Sequence, residues 1–199
     1  MIFKNIKKFS QNFHKNNFII NTILEMQSSF DIIFIQEPSW FFIWSLPSSK
    51  SVEGDELVGV PNHPNWTTFS RNLTNGDDSP RVITYINIRL TPLCFSLYKD
   101  IFNNRDISYV SFFNCGLVYF LINVYLDSLQ SALKYLKDTK VNINNVLIMT
   151  SNFNIRNCNW DPNFHYHSIY KDTLIDIADS FQLDLSKPTN HVPTRYSDN

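Results

Sequence analysis

The residues that decide the fold are Leu147-Ile148-Met149-Thr150-Ser151-Asn152-Phe153-Asn154, followed six residues after Asn154 by Trp160-Asp161. The apolar half of this stretch predicts a buried strand, and the polar half predicts the tip of that strand. Buried strands that end in this way deliver polar side chains to the edge of a sheet, where active sites form. Asn152 and Asn154 are therefore candidate site residues.

The composition predicts a folded protein with one hydrophobic core. Of the 199 residues, 43% are hydrophobic, 15% are aromatic and 18% are charged, which excludes a disordered chain. This length suits a single domain. The formal net charge of −1 gives no overall attraction to nucleic acid. If DNA is the partner, local clusters of lysine and arginine must supply the attraction.

The cysteine content and the apolar runs bear on the compartment. The three cysteines are far apart and form no Cys-x-x-Cys pair, so neither a zinc site nor a disulfide framework is predicted. The longest apolar run, residues 117–126, is about half the length needed to span a bilayer. The N-terminal residues do not form a signal peptide pattern. We expect an intracellular protein, nuclear or cytoplasmic and not secreted, with no membrane partner and no obligate protein partner.

The pattern of apolar residues predicts alternating strands and helices. Predicted helices span residues 16–29, 129–136 and 169–182. Predicted strands span residues 31–35, 66–71, 82–88, 107–113, 117–126 and 145–149, with a hairpin turn at Asn114-Cys115-Gly116. Residues 39–65 are predicted to be a long irregular connection, and residues 187–199 an irregular tail. This interleaving favours a mixed α/β layered domain.

Three further polar residues are candidates for a site. Glu37 comes at the end of a buried strand, where a carboxylate either binds a hard cation such as Mg²⁺ or is simply solvated. Asn12 on its own is a capping or turn residue. Tyr125 is either a core aromatic with its hydroxyl at the rim or a hydrogen-bond donor to a ligand.

Four segments in the same order resemble the endonuclease/exonuclease/phosphatase (deoxyribonuclease I-like) superfamily. These segments are Ser10-Gln11-Asn12, Ile35-Gln36-Glu37-Pro38, Asn123-Val124-Tyr125 and Ser151-Asn152-Phe153-Asn154. Together with Trp160-Asp161 they are most similar to the endonuclease domain of non-LTR retrotransposons. The resemblance implies a four-layer α/β sandwich and Mg²⁺-dependent (or Mn²⁺-dependent) hydrolysis of DNA phosphodiester bonds.

The resemblance also implies a role for each matched residue. Glu37 and Asn12 would hold the metal, Tyr125 would donate to the substrate phosphate, and Asn154 would lie beside the attacking water. Asn152 stands where the family has its catalytic Asp. Because these roles belong to one site, we expect all five residues to converge in space.

Two departures from the family pattern predict impaired catalysis. An amide nitrogen is not a base, so Asn152 can hold water but cannot take its proton. The family's later Asp-containing strand and final Ser-Asp-His have no full counterpart here, since Ser197-Asp198 is followed by Asn199. The expectation is one domain over residues 1–199 that lacks the family's last strands.

Other readings of the function remain open. The chain is either a retrotransposon-derived endonuclease, a non-catalytic decayed copy with weak nucleic-acid binding, or a phosphatase on small phosphoesters, because the core of the fold is common to all three. Two further groups of residues are weaker candidates. His165 and His167 share one side of an extended segment and could bind a metal, but a solvated pair is the simpler reading. Five basic residues are candidate phosphate contacts or surface charges: Arg71, Arg81, Arg89, Lys99 and Arg105.

Overall fold

The computed structural model describes residues 6–12, 17–26, 28–38, 44–46, 56–58, 61, 63–70, 79–97, 104–127, 131–139, 144–151 and 170–184. The elements along the chain are β1 (Lys8–Asn12), α1 (Asn17–Glu25), β2 (Ile32–Gln36), β3 (Trp44–Leu46), β4 (Glu56–Val58), β5 (Trp66–Phe69), β6 (Val82–Asn87), a 3-10 helix (Ile88–Leu93), β7 (Ser96–Leu97), β8 (Ile107–Asn114), β9 (Leu117–Val124), α2 (Ser131–Asp138), β10 (Val146–Ser151) and α3 (Lys171–Ser180).

Two four-stranded sheets form the centre of the molecule. The first sheet has the strand order β1-β2-β6-β5 and the second has the order β10-β9-β8-β7. In each sheet one outer pair is parallel, β1 with β2 and β9 with β10, and the remaining pairs are antiparallel. Parallel neighbours need a crossover connection, and α1 and α2 lie in these two crossovers. The mixed α/β class predicted from the sequence is confirmed.

Three clusters of buried side chains make this a four-layer structure. Between the sheets, Ile32 and Phe34 of β2 pack against Val110 and Phe112 of β8. On the outer face of the first sheet, the alternate residues Ile33 and Ile35 of β2 pack against α1. On the outer face of the second sheet, β8 and β9 pack against α2 and α3. Each sheet thus buries both of its faces, which explains why its strands read as continuous apolar runs.

The hairpin between β8 and β9 has the predicted turn. Cys115 and Gly116 are its two central residues, and their φ angles of 50° and 81° are both positive. Two positive φ angles are the mark of a type I′ turn, whose twist matches that of the two strands.

The prediction that residues 39–65 form a wholly irregular connection was wrong. Trp44 pairs with Val58 and Leu46 pairs with Glu56, so β3 and β4 form a short antiparallel ribbon. Strands of three residues are too short to show an alternating pattern, which is why they were missed. The 3-10 helix and β7 were also not predicted. The helix begins where the side chain of Asn87 accepts a hydrogen bond from the backbone N–H of Arg89.

The remaining predicted elements exist, with shifted ends. α1 and α3 are shorter than predicted at both ends, α2 lies two residues further along the chain than predicted, and β10 continues beyond Met149 to Ser151. The predicted tail, residues 187–199, lies outside the described residues. No helix in the described ranges is long and apolar enough to cross a membrane.

We predict that Phe34→Ala is strongly destabilising. The side chain of Phe34 is 1% exposed in the middle of the first sheet, and truncation of such a ring costs about 3–5 kcal/mol. Phe18→Ala is the matched control, because Phe18 is 80% exposed and its loss is expected to change stability by less than about 0.5 kcal/mol. Urea unfolding of the three proteins measures both effects, and equal losses would contradict the assigned core.

Candidate active site

The candidate site lies where several strands end together. β1 ends at Asn12 beside Gln36, the last residue of β2, because these two strands run in parallel. In the second sheet β9 and β10 are also parallel, and Ser151 at the end of β10 lies opposite Val124 at the end of β9. Parallel pairing in both sheets brings these ends to one edge of the sandwich.

Glu37 is the centre of the cluster. Its carboxylate oxygen Oε2 accepts a hydrogen bond of 2.8 Å from Nδ2 of Asn12, and Oε1 accepts one of 2.7 Å from the hydroxyl of Tyr125. These partners are 25 and 88 residues away along the chain. The structure therefore brings together three of the five predicted site residues. Asn152 and Asn154 lie outside the described residues.

The backbone of Glu37 is strained. Its φ angle of 48° lies in the left-handed region, which is unfavourable for a residue with a Cβ atom and costs about 1–3 kcal/mol. The conformation is held by a hydrogen bond of 2.9 Å from the backbone N–H of Glu37 to the carbonyl oxygen of Arg81. The strain turns the chain at the end of β2 so that the carboxylate faces Asn12 and Tyr125.

Tyr125 is a neutral hydrogen-bond donor at physiological pH. Burial, the hydrogen bond to Glu37 and the negative charge of Glu37 together raise the pKa of Tyr125 to about 12. The guanidinium group of Arg81 lies 4.4 Å from the centre of the ring. The ring is therefore fixed from one side by a cation–π contact and its hydroxyl is fixed by Glu37.

Arg81 is fully engaged by carboxylates rather than exposed as a phosphate contact. Its Nε and Nη2 atoms donate to both oxygens of Asp106, and Nη2 also donates to Oδ2 of Asp127 at 3.3 Å. Burial lowers the pKa of Arg81, but hydrogen bonds and charge from both aspartates outweigh that effect and raise it overall. Arg89 is paired in the same way with Asp31 at 2.6 Å. For Arg81, whose side chain is 13% exposed, the surface-charge reading is replaced by a structural one, whereas Arg89 remains at the surface with its side chain 43% exposed.

The other weaker candidates are less informative. Arg105 lies near Asp106, at 3.8 Å from its Oδ1. Cys94 and Cys115 are exposed, free thiols, as expected for separate reduced cysteines. Five of the residues considered lie outside the described ranges: Arg71, Lys99, Cys158, His165 and His167.

A buried polar network lies between the two sheets, next to the candidate site. Nε2 of Gln36 donates to Oδ1 of Asn123 at 2.7 Å, and Nδ2 of Asn123 donates to the carbonyl oxygens of Ile35 and Ile83 at 3.2 and 3.0 Å. Gln36 and Asn123 are completely buried. A further hydrogen bond joins the sheets at their neighbouring edge strands, where the hydroxyl of Thr150 donates to that of Ser10 at 2.6 Å.

Gln36 and Asn123 belong to the segments that resemble the family, but the sequence did not predict a role for either residue. The usable signal is their position: both occur at strand positions that face the interior, where a polar side chain needs a buried partner. Arg81, Asp106 and Asp127 gave no comparable signal, because charged residues in the middle of a sequence are ordinarily at the surface.

The residues present fit a hard cation. Glu37 offers a carboxylate, and Asn12, which turns its amide nitrogen toward Glu37, offers its carbonyl oxygen. Within the described ranges no three His, Cys, Asp or Glu side chains gather as a metal-binding group. Mg²⁺ suits such a site, because it takes one or two carboxylates and fills its remaining positions with water and substrate phosphate.

Comparison with known proteins identifies the fold. No family model matches the chain, and no curated protein matches it. Among solved structures, the endonuclease domain of TRAS1, a telomere-specific non-LTR retrotransposon, is similar with a TM-score of 0.58 and 15% sequence identity, over 95% of this chain and 76% of that one. This chain has the deoxyribonuclease I-like fold. The expected four-layer sandwich is confirmed, and at this level of identity the likeness extends to the fold alone.

We predict that Asp127 stabilises the folded chain in a pH-dependent way. Burial raises the pKa of Asp127, but two hydrogen bonds from Ser131 and the pairing with Arg81 outweigh it and lower the pKa below 3.8. A lowered folded-state pKa gives stability that is present above about pH 4 and is lost as the pH falls through the folded value.

The measurement is urea unfolding of the parent and Asp127→Asn at a series of pH values. The variant should be less stable than the parent at pH 6, and the difference should shrink in acid. Asp176→Asn is the control, because Asp176 pairs with Lys137 at 3.3 Å with both side chains more than half exposed. Such pairs contribute little. A stability difference for Asp127→Asn that stays constant down to pH 2.5 would contradict the assigned pairing.

Proposed function

We propose that this chain is a nuclease domain of retrotransposon origin whose ancestral reaction is Mg²⁺-dependent hydrolysis of DNA phosphodiester bonds, and that catalysis is impaired in this copy. The observation that carries the proposal is the carboxylate of Glu37, held by Asn12 and Tyr125 at the joined strand ends of a deoxyribonuclease I-like sandwich. The printed name of the structural neighbour, an endonuclease domain, agrees with it.

Each residue would have a limited task. Glu37 and Asn12 would hold the metal ion, which when bound supplies positive charge at the phosphoryl oxygens. Tyr125 would turn its single hydroxyl hydrogen from Glu37 to a phosphate oxygen when substrate binds, and its raised pKa keeps that hydrogen in place. Asn154 would orient the attacking water. Each oxygen of the Glu37 carboxylate has two lone pairs, so its hydrogen bonds and a metal ion are compatible.

Asn152 is the reason to expect impaired catalysis. In the proposed site it stands in place of the carboxylate that accepts the proton of the attacking water, and an amide cannot do so. Loss of a general base costs about 10²- to 10⁴-fold in rate. The same substitution removes a negative charge from the metal site, so we also expect weakened binding of Mg²⁺ or Mn²⁺.

DNA binding is expected to be weak. The chain has a net charge of −1, and two of the five basic residues considered as phosphate contacts, Arg81 and Arg89, are paired with aspartates. A charge already balanced by a carboxylate releases few counterions from DNA, and counterion release is the main source of non-specific affinity.

We predict that the parent chain shows no plasmid nicking above background with Mg²⁺ or Mn²⁺, and that Asn152→Asp restores little nicking. The restored carboxylate should tighten Mn²⁺ binding by about tenfold. It supplies a base for the attacking water but adds no donor that stabilises charge on the phosphate. Removing one such donor costs about 10²- to 10³-fold.

The assay compares four proteins: the parent, Asn152→Asp, Glu37→Ala and the double variant. Plasmid nicking and Mn²⁺ affinity are measured on each. Glu37→Ala should abolish the gain in affinity made by Asn152→Asp. Strong metal-dependent nicking by the parent, lost in Glu37→Ala, would overturn the proposed impairment. Unchanged Mn²⁺ affinity in Asn152→Asp would overturn the assignment of Asn152 to the metal site.

A further inference from the structure

Three buried side-chain oxygens between the two sheets lack a hydrogen-bond partner among the residues that the structure describes: Oε1 of Gln36, Oγ1 of Thr84 and Oγ of Ser108. Gln36 and Thr84 are completely buried, and Ser108 is 2% exposed. Orphaned groups of this kind are unusual, because a buried donor or acceptor without a partner is strongly unfavourable. Each of the three oxygens therefore calls for a partner.

The three residues surround the amide of Asn123. Gln36 donates to Oδ1 of Asn123 at 2.7 Å. Ser108 is the residue opposite Asn123 in the register of β8 and β9. Thr84 directly follows Ile83, whose carbonyl oxygen accepts from Nδ2 of Asn123 at 3.0 Å. The orphaned oxygens thus belong to one polar layer.

All three side chains face the space between the sheets. Residues two apart on a strand lie on the same face of a sheet. Thr84 is two residues before Ile86, and Ser108 is two residues before Val110, and both of these apolar residues belong to the cluster between the sheets. Gln36 reaches the same space, because its amide is bonded to Asn123 on the opposite sheet.

The orientation of the Gln36 amide is fixed by its neighbours. Nδ2 of Asn123 donates to two carbonyl oxygens, so Oδ1 is the atom that Asn123 turns toward Gln36. Nε2 of Gln36 must face that oxygen, because the opposite orientation would place two acceptors in contact. Oε1 of Gln36 therefore points away from Asn123, and as an acceptor it requires a donor.

We propose that Gln36, Thr84 and Ser108 bind one internal water molecule. The water donates to Oε1 of Gln36 and exchanges hydrogen bonds with the two hydroxyl groups, each of which can donate or accept. An internal water makes about three hydrogen bonds, and this layer offers three partners. The water thereby links β2 and β6 of the first sheet to β8 of the second. The proposal concerns the core and is independent of the reaction.

Water fits this layer better than a monovalent cation does. The three oxygens are neutral, and a buried charge without a counter-charge is strongly unfavourable. A neutral molecule that both donates and accepts satisfies the acceptor of Gln36 and the two hydroxyl groups together. Buried polar groups that do not reach each other directly are commonly joined in this way.

The first test is urea unfolding of the parent, Thr84→Val and Ser108→Ala. A hydroxyl bonded to the water contributes to stability, so each variant should have an unfolding equilibrium constant about fivefold larger. A hydroxyl without a partner would have the opposite effect, because its removal relieves an unsatisfied group. Stability equal to or above that of the parent in either variant would overturn the proposal.

Thr67→Val is the matched control, because it makes the same change at an exposed position of β5. Its unfolding equilibrium constant should stay within about twofold of that of the parent. Unfolding of the parent in sodium chloride and in choline chloride at equal ionic strength tests for a bound cation. Equal stability in the two salts is expected, and greater stability in sodium chloride would replace the water by an ion.

A crystal structure of the parent tests the site without any variant. We expect density for a water molecule about 2.7–3.2 Å from Oε1 of Gln36 and from the hydroxyl oxygens of Thr84 and Ser108. A structure in which these three groups bond directly to one another or to backbone carbonyls, with no density between them, would contradict the proposed water site.

Discussion

The amide of Asn123 lies fully buried between the two sheets and makes hydrogen bonds to the side chain of Gln36 and to two backbone carbonyls of the first sheet. An apolar interface alone tolerates several packings of similar energy. A buried amide does not, because each polar group left without a partner costs about 1–3 kcal/mol. Asn123 therefore selects one alignment of the two sheets.

The site depends on that alignment. Tyr125 lies two residues after Asn123 on the second sheet, and Glu37 follows Gln36 directly on the first. Gln36 and Asn123, which bond to each other between the sheets, thus lie within two residues of Glu37 and Tyr125. The latter two bond to each other at the edge of the sandwich. The strained backbone of Glu37 is tolerated because Gln36 before it is fixed by the buried network and because its own N–H is bonded to the carbonyl oxygen of Arg81. In the proposed function the chemistry of the site is decided separately, by single residues such as Asn152.

The apolar runs predicted the mixed α/β class, and the resemblance of four segments predicted the layered sandwich and the meeting of Asn12, Glu37 and Tyr125. The sequence failed for the β3–β4 ribbon, whose strands are too short to show a period, and for Arg81, which looked like a surface charge. The partners of Arg81 are 25 and 46 residues away, and no local pattern reveals a pairing at that distance. Periodicity reports which way a residue faces, not which residue it meets.

Long separations along the chain also have a kinetic consequence. The bonds that define the site span 25 and 88 residues, and the link between Ser10 and Thr150 spans 140. Contacts between distant residues require large loops to close, which slows folding and delays these contacts. A growing chain at the ribosome must therefore expose Glu37 and Asn12 long before Tyr125 and β10 have been made. The cluster around Glu37 assembles only after nearly the whole sandwich is available.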